Sequence, residues 1–386
     1  MSTPWPSPAL QGWDVSRNRG ASFAFLIMAM IASKTLAATT RPTTLESRVA
    51  IARSLWDAEL AKTQGKPQTK NQYPTEPAVP FLSAYDFTHE KKFADQAVIQ
   101  LDYAHSREKN ALLITFEGIC HRDYQARQIY NFYLAYRILK DPKYLAWADA
   151  CASAMVKTIP RQPHTFAGET HTLFAATFIK PDGKPDDPLA FTIDVNQNAE
   201  VGFAFSQLYH DPKSAFYQKR IAREIAYEET LASMSLQDMK TGAIPLREGL
   251  MDQYDTAYGG YATFSWTGTQ LLWHEPKFDP HLRAAAKWLA PLSDVTRDTR
   301  RWYPKRIDGG PMSLWEIWFR VPALWYSDID ARKLLNGVFE RMGHPDGYKD
   351  EAGLAPSWWA YYDTWGIPRE YYLTGDPSAG RNGNSK

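Results

Sequence analysis

The segment that decides the fold is residues 130–156, YNFYLAYRILKDPKYLAWADACASAMV, in which two apolar stretches flank Asp141-Pro142-Lys143. The same pattern returns in residues 198–231, NAEVGFAFSQLYHDPKSAFYQKRIAREIAYEETL, around Asp211-Pro212-Lys213, 211 − 141 = 70 residues further on. Self-similarity at a fixed period indicates stacked supersecondary units, none of which buries its apolar face alone. The repeated unit is predicted to be an αα-hairpin.

Two looser copies turn at Glu275-Pro276-Lys277 and at Ser327-Asp328, which gives four hairpins in all. The predicted pairs are Tyr130–Leu139 with Tyr144–Val156, Asn198–Tyr209 with Phe216–Leu231, Thr263–Trp273 with Leu282–Leu289, and Leu314–Tyr326 with Ala331–Met342. One or two degenerate hairpins would have to complete a ring.

The turns explain why each unit is a hairpin. Proline ends the first helix because it lacks an N–H and disfavours helical geometry in the residue before it. The same proline fits the first turn of the next helix, where the N–H would have no partner in any case. Asp141 and Asp211 precede these prolines and are predicted to cap the second helix of each pair.

The links between hairpins are much longer than the turns within them. They are Lys157–Val195, Ser235–Ala262, Leu292–Ser313 and Gly343–Trp358. Loops of more than about 12–15 residues in a compact domain are usually functional or disordered, and these contain Trp, Tyr, His, Asp and Glu rather than a composition typical of disorder. If the hairpins close into a ring, one end should therefore carry the functional loops.

The hairpin period and the segment Asp194-Val195-Asn196-Gln197-Asn198-Ala199-Glu200 resemble the (α/α) toroid superfamily, also called six-hairpin glycosidase-like. The resemblance covers roughly Tyr124–Met342, and the Asp194–Glu200 segment is similar to the polar opening of an inner helix in such proteins. It implies an all-α toroid, or an incomplete barrel, with long functional loops at one end. Members of the superfamily include glycoside hydrolases, polysaccharide lyases and uronate C5-epimerases, but no signature assigns catalytic roles residue by residue.

The first 38 residues are predicted to be a signal peptide. Arg17 and Arg19 precede the apolar run Ala21–Ala32 and the small residues Ala37 and Ala38, an order typical of secretory signals. An uncleaved anchor or a misassigned start is the alternative. We therefore expect a secreted or periplasmic protein with one toroid domain at 39–375 and a disordered tail at 376–386.

Composition excludes several classes of function. Lys and Arg number 44 against 43 Asp and Glu, for a net charge of +1, so no general attraction to nucleic acid is indicated. No phosphate loop, HExxH, GxSxG or paired CxxC motif occurs, and we expect no cofactor. Cys120 and Cys151 are equally compatible with a disulfide and with two buried thiols. The expected partner is a polysaccharide or oligosaccharide.

Several shorter elements are predicted outside the repeats. Thr43–Ala61 has helical spacing with Thr44 as the cap, and Asp95–Ala104 is predicted to form a further helix. Thr63–Val79 is predicted to be an exposed linker because it is rich in Gln, Lys, Pro and Thr. Ala111–Phe116 fits either a strand or the start of a helix.

The candidate catalytic residues lie at the mouths of two neighbouring hairpins. The loop before the third hairpin places Asp252, Asp255 and Tyr258 together, and carboxylates beside tyrosine suit proton transfer at a sugar. Glu200 and Asp194, at the mouth of the preceding hairpin, are the candidate second groups. Partial burial at such a mouth would raise a carboxyl pKa toward the value that a general acid needs.

The candidate substrate-binding residues supply amides, rings, an imidazole and a guanidinium to the same face: Asn196, Asn198, Tyr254, Tyr261, His171, Arg306, Trp358 and Trp359. Helix capping by Asp194, backbone contacts by the two asparagines and a hydrophobic lid formed by the two tryptophans are the structural alternatives. The segment His164–His171 matches no known metal motif, and no metal site is predicted.

We therefore expect an enzyme that cleaves glycosidic bonds, either a hydrolase or a lyase. Hydrolysis needs two carboxylates, about 5–5.5 Å apart for retention or ~6.5–9.5 Å apart for inversion. Elimination and C5-epimerisation of a uronate need Tyr or His near C5 and a cation on the carboxylate. Epimerisation, or carbohydrate binding without catalysis, remains the alternative, since the sequence offers both sets of groups.

Overall fold

The helices of the computed structural model alternate between an inner and an outer layer. The structure describes residues 44–113, 120–175, 191–252, 254, 256–292, 314–343 and 356–379. In chain order its helices are α1 (Leu45–Thr63), α2 (Val79–Thr88), α3 (Lys91–Ser106), α4 (Arg122–Leu139), α5 (Pro142–Thr158), α6 (Val195–His210), α7 (Arg220–Ser235), α8 (Thr256–Trp273), α9 (Phe278–Leu289), α10 (Leu314–Tyr326), α11 (Arg332–Met342), α12 (Trp359–Thr364) and α13 (Arg369–Thr374).

The even-numbered helices form the inner layer, and each contacts the next. Helix α4 packs against α2 and α6, α8 lies between α6 and α10, and α12 contacts both α2 and α4. Helices α10 and α12 meet through the Tyr362 hydroxyl, which donates to the Trp318 carbonyl. That carbonyl has no helical donor because Pro322, four residues later within α10, lacks an N–H. The six inner helices therefore close a ring.

The four hairpins predicted from the repeats are all present, and α2–α3 and α12–α13 supply the missing ones. Every turn within a hairpin lies at the C-terminal end of an inner helix, whereas every long link leads into the N-terminus of the next inner helix. The all-α prediction is confirmed, and the long links all lead to one end of the inner ring. We call the end formed by the inner-helix N-termini the mouth.

The two Asp-Pro-Lys turns differ in the structure. Asp141 caps α5 through a hydrogen bond from Lys143 N of 2.9 Å, as predicted. Asp211 accepts an equivalent bond of 2.9 Å from Lys213 N, but the next helix, α7, begins only at Arg220. The prediction that this helix begins at Phe216 was wrong, because the chain forms further turns before it.

The prediction that Thr63–Val79 is an exposed linker holds only for its first part: residues 64–66, 69, 70 and 72 are exposed, whereas most of residues 74–79 are buried. Glu76–Ala78 forms a 3₁₀ turn that leads directly into α2, and Thr75 is only 1% exposed. The Gln100 side chain fixes the segment by donating to the Pro74 carbonyl at 2.7 Å. The Gln100 side chain also bonds the backbone of Gln68, accepting from its N at 2.7 Å and donating to its carbonyl at 3.3 Å.

Two small antiparallel strand pairs lie in the links. The pair β1 (Glu108–Lys109) and β2 (Leu112–Leu113) shows that residues 112 and 113 are extended. The pair β3 (Arg161–Phe166) and β4 (Glu169–Phe174) occupies the link that precedes α6. Thr44 caps α1 as predicted, by accepting from Ser47 N at 3.2 Å.

Cys120 and Cys151 are buried free thiols. Within the described residues, no helix has the length and apolar character needed to cross a membrane. The predicted signal peptide, 1–38, and most of the predicted tail, residues 380–386, lie outside the described residues.

Candidate active site at the mouth of the helical ring

Equivalent positions of the inner helices meet at the ring axis. Arg127, Glu200, Tyr261 and Phe319 are each the sixth residue of their helix, in α4, α6, α8 and α10. Arg127 Nε and one terminal nitrogen donate to the two oxygens of Glu200 at 2.6 and 2.8 Å. The Arg127 guanidinium also lies 4.7 Å from the centre of the Tyr261 ring, which is 3.9 Å from that of Phe319.

Residues that precede α2 complete this layer. Glu76 accepts from the remaining terminal nitrogen of Arg127 at 2.6 Å, and the Tyr73 ring lies 4.0 Å from the guanidinium on one side. Arg127 therefore uses all three nitrogens in ion pairs and lies against two aromatic rings. Bidentate pairing of this kind fixes both partners geometrically.

The carboxylates of this layer hold protons more tightly than exposed ones. Burial raises the pKa of Glu200 to about 7, although Arg127 opposes the shift. Burial likewise raises the pKa of Glu76. The negative charge of Asp123 raises both values further, which places its carboxylate close to the other two. The four charged groups sum to 1 − 3 = −2 when all are ionised.

One turn nearer the mouth, two side chains each have one oxygen that forms no hydrogen bond within the described part of the chain. Asp123 and Asn196 are each the second residue of their helix, in α4 and α6, and are 4% and 3% exposed. Asp123 Oδ2 accepts weakly from the Tyr73 hydroxyl at 3.4 Å, and Asn196 Nδ2 donates to Glu200 at 3.4 Å. The Oδ1 atom of each is buried without a hydrogen-bond partner; His121 Nδ1 lies 3.9 Å from that of Asp123.

An aromatic layer closes the ring beneath the charged one. Tyr130, Phe203 and Phe264 are each the ninth residue of their helix, and adjacent ring centres are 5.4 and 5.9 Å apart. Tyr361 packs against all three rings and donates to Asn131 Oδ1 at 2.7 Å. The described side chains at the mouth therefore form a buried charged layer above an apolar one.

Asp194 and Asn198, both candidates from the sequence, have different roles in the structure. Asp194 caps α6 by accepting from Gln197 N at 3.4 Å, and burial raises its pKa to about 6. Asn198 is completely buried; its oxygen accepts from Arg122 at 2.8 Å and its nitrogen donates to Glu229 at 2.6 Å. Asn198 thus joins α4, α6 and α7 and is not available to a sugar.

The loop before α8 is more open than the two helix mouths. Asp252 is exposed, and Tyr258 is 38% exposed. Tyr254 is partly buried, pairs with Pro245 in an isolated β-bridge and contacts the Trp288 ring at 6.3 Å. Asp255 lies outside the described residues. The sequence predicted that burial raises a carboxyl pKa in this loop. In the structure, burial raises the pKa of Glu200 and of Asp194. Catalytic roles for Asp252 and Tyr258 stay predictions.

The remaining candidates are spread over the molecule. His171 is 4% exposed on β4 and contacts Glu228 at 3.0 Å. Trp358 lies near the ring axis, with its ring 4.4 Å from that of Phe319. Trp359 is fully buried against Trp56 of α1 and Trp318 of α10, so it fills the core rather than a sugar-stacking wall. Arg306 lies outside the described residues.

Sequence reasoning did not select Tyr73, Glu76, Asp123 or Arg127. A signal was nevertheless present, because Asp123 and Arg127 stand at the same helical positions as Asn196 and Glu200, 73 residues earlier (196 − 123 and 200 − 127). Both pairs are spaced i, i+4 and so lie on one helix face. Among the described residues, no group of three or more His, Cys, Asp or Glu side chains is arranged to hold a metal ion.

Solved structures with the same architecture include carbohydrate-active enzymes. A cellobiose 2-epimerase from Spirochaeta thermophila is 14% identical and aligns over 85% of this chain and 87% of its own, with a TM-score of 0.52. A family 76 glycoside hydrolase from a bovine Bacteroides thetaiotaomicron strain is 11% identical over 82% and 78%, with a TM-score of 0.57. A possible member of the GH105 family from Salmonella enterica is 12% identical over 75% and 76%, with a TM-score of 0.52.

The fold is the (α/α) toroid. It is shared with the six-hairpin glycosidase-like superfamily, to which these enzymes belong, and the resemblance predicted from the hairpin period is confirmed. At such identities the likeness carries the fold alone. No protein-family model and no curated protein matches the sequence.

Proposed function

We propose that this toroid is a carbohydrate-processing enzyme that cleaves glycosidic bonds by hydrolysis at the mouth of the ring. The observation that carries the proposal is the excess of carboxylates at the mouth, together with the unpaired, buried Oδ1 of Asp123. A fold shared with glycoside hydrolases and sugar epimerases supports it.

In the proposed mechanism, Asp194 and Asp123 act on opposite sides of the glycosidic bond. Asp194 is the general acid, since a pKa of about 6 keeps part of the population protonated near neutral pH. Asp123 provides the second carboxylate, as nucleophile or as base toward water. Glu200 has both oxygens bound by Arg127 and is a positioning residue.

The charge of the cluster favours hydrolysis over uronate elimination. An oxocarbenium-like transition state is positive and is stabilised by surrounding carboxylates, whereas a uronate substrate brings a further negative charge. Neutralising that charge needs a cation, and within the described part of this cluster Arg127 is already paired with Glu76 and Glu200. Burial also raises the pKa of Tyr73 well above its usual value, which disfavours a phenolate base.

A secreted or periplasmic location is part of the proposal and rests on the order of residues 1–38. N-terminal sequencing of protein recovered from the periplasm or medium should begin at residue 38 or 39. An intact chain found only in the cytoplasm contradicts this part alone.

The function is tested with a panel of neutral and uronate-containing polysaccharides. New reducing ends without absorbance from unsaturated products indicate hydrolysis, and unsaturated products indicate a lyase. Asp123→Asn and Asp194→Asn should each lower kcat by ~10²-fold or more, while Asp141→Asn, the same change at a helix cap away from the mouth, should retain most activity. A large loss in Asp252→Asn with full activity in Asp123→Asn and Asp194→Asn would move the site to the loop before α8. Absence of turnover on every member of the panel would contradict the proposal that the protein is an enzyme.

A further inference from the structure

A group of rings beside the charged layer is not used by the chemistry proposed above. The Tyr73 and Tyr124 ring centres are 4.5 Å apart at an angle of 71°, and His121 lies 4.6 Å from Tyr124. All three side chains are partly exposed. We call these three residues the aromatic shelf.

Contacts with neighbouring side chains hold the aromatic shelf in place. Tyr73 lies over the buried Arg127 guanidinium at 4.0 Å, and its hydroxyl contacts Asp123. The Tyr124 hydroxyl donates to Gln72 Oε1 at 3.1 Å. Preorganised rings cost little conformational entropy when a ligand binds to them.

Two unpaired acceptors lie in the same cluster as the shelf. Among the described residues, the Oδ1 atoms of Asp123 and Asn196 are buried and have no hydrogen-bond partner, an arrangement that is unfavourable until a donor is supplied. Asp123 contacts Tyr73 directly, while Asn196 joins the Arg127 layer through Glu200. A ligand with two hydroxyl donors and one apolar face would donate to both acceptors and pack against the aromatic shelf.

We propose that the aromatic shelf, with Asp123 Oδ1 and Asn196 Oδ1, is a subsite for one neutral pyranose unit of a saccharide. The C–H face of the sugar lies on the Tyr124 ring, Tyr73 borders it at an angle of 71°, and two of its hydroxyls donate to the two acceptors. This subsite deepens the proposed function, because it names the substrate class as neutral. The excess of carboxylates in the adjacent cluster, −2 when all four groups are ionised, disfavours a uronate in the same position.

The subsite is tested by titration calorimetry on the full chain, with gluco-, manno- and xylo-oligosaccharides of two to six units and with galacturonate oligomers as probes. Tyr124→Ala should weaken binding of the best neutral probe about tenfold or more, since stacking is lost. Tyr124→Phe should bind nearly as well as the unsubstituted protein, because the ring remains. Asn196→Ala should weaken binding by a similar factor. Tyr217→Ala is the matched control, since Tyr217 is a 39% exposed tyrosine in the turn at the opposite end of α6.

The outcomes separate the subsite from the enzyme. Neutral-sugar binding that depends on Tyr124, without turnover, keeps the subsite and rejects hydrolysis. Cleavage with an unchanged KM in Tyr124→Ala keeps the enzyme and rejects the subsite. Tighter binding of galacturonate than of every neutral probe, or no binding of any neutral probe at millimolar concentration, also overturns the subsite.

Discussion

Arg127 connects more of the mouth than any other side chain described above. It pairs with Glu200 on α6 and with Glu76 before α2, and it lies against Tyr261 on α8. A buried ion pair of this kind adds little net stability, because desolvation offsets the attraction. Its main effect is to hold three segments of the ring in one arrangement.

Arg127→Met should lower the free energy of unfolding by ~3–5 kcal/mol at pH 7, because two buried carboxylates lose their counter-charge. At pH 5 the loss should be smaller, since Glu200, whose pKa burial raises to about 7, is then largely protonated, and the raised pKa of Glu76 acts in the same direction. Denaturant unfolding at both pH values measures the difference. Arg137→Met, a change on the same helix where the guanidinium donates to Tyr133, is the control. Equal losses at the two pH values would contradict the prediction.

The Asp194 carboxyl is expected to make the stability of the protein depend on pH. Its folded pKa of about 6 exceeds the ordinary value of 3.8, so the native state binds this proton more tightly than the unfolded state. Ionisation of Asp194 therefore lowers the free energy of unfolding progressively as pH rises from about 4 to about 6. The pKa also responds to Arg122, Asp123 and Arg247, which face the carboxyl.

Asp194→Asn should flatten the dependence of Tm on pH in that interval, because asparagine caps a helix as well as aspartate but does not titrate. Thermal unfolding between pH 4 and pH 7 measures the slope. Thr44→Asn, a change at the cap of α1 that removes no titratable group, is the control and should leave the slope unaltered. A slope unchanged by Asp194→Asn would refute the assignment.

Helices α6 and α7 approach each other closely at a glycine. A Cβ on Gly202 would lie 2.1 Å from Thr230 Oγ1 and 3.1 Å from the Ala226 carbonyl oxygen. This contact decides how deeply α6 sits in the ring, and so where Asn196 and Glu200 stand at the mouth. The two Asp-Pro-Lys turns lead into their second helices differently: Asp141 is the cap of α5, whereas Asp211 is not the cap of α7.

Gly202→Ala should destabilise the protein by ~1–3 kcal/mol, because extra volume in a close-packed contact forces the helices apart. Thr230→Ala removes the nearest atom, so the double variant should recover part of the loss, with a coupling energy of about 1 kcal/mol. Chemical denaturation of the four proteins of this cycle measures the coupling. Additive effects would mean that the two helices do not meet here as described.

The closed ring places the N-terminal ends of all six inner helices at one mouth. Each such end carries a partial positive charge from the helix dipole. Together they help a cluster with excess carboxylates to persist in a buried site. The same closure buries both cysteines behind the outer layer, where burial raises the pKa of the Cys120 thiol to about 12 and that of Cys151 well above its usual value.

Both thiols should be inert toward a disulfide reagent at pH 8 in the native protein and should react once the fold is disrupted by denaturant. A reducing agent should leave Tm unchanged, because no disulfide joins Cys120 and Cys151. Thiol counting with and without denaturant, before and after reduction, checks both statements. Thiols that appear in denaturant only after reduction would show that a disulfide forms.

The sequence by itself determined the hairpins, their antiparallel order and the gathering of long links at one end. Local patterns fix these features, since helical periodicity, Asp-Pro turns and link lengths act over a few residues. It also marked Asn196, Glu200 and Asp194 as a polar helix opening. Only the tertiary structure decided that Arg127 pairs with Glu200 across 73 residues, that Glu76 belongs to the mouth and that Asn198 does not. Side-chain partners between inner helices follow from ring closure and burial, which no local pattern encodes.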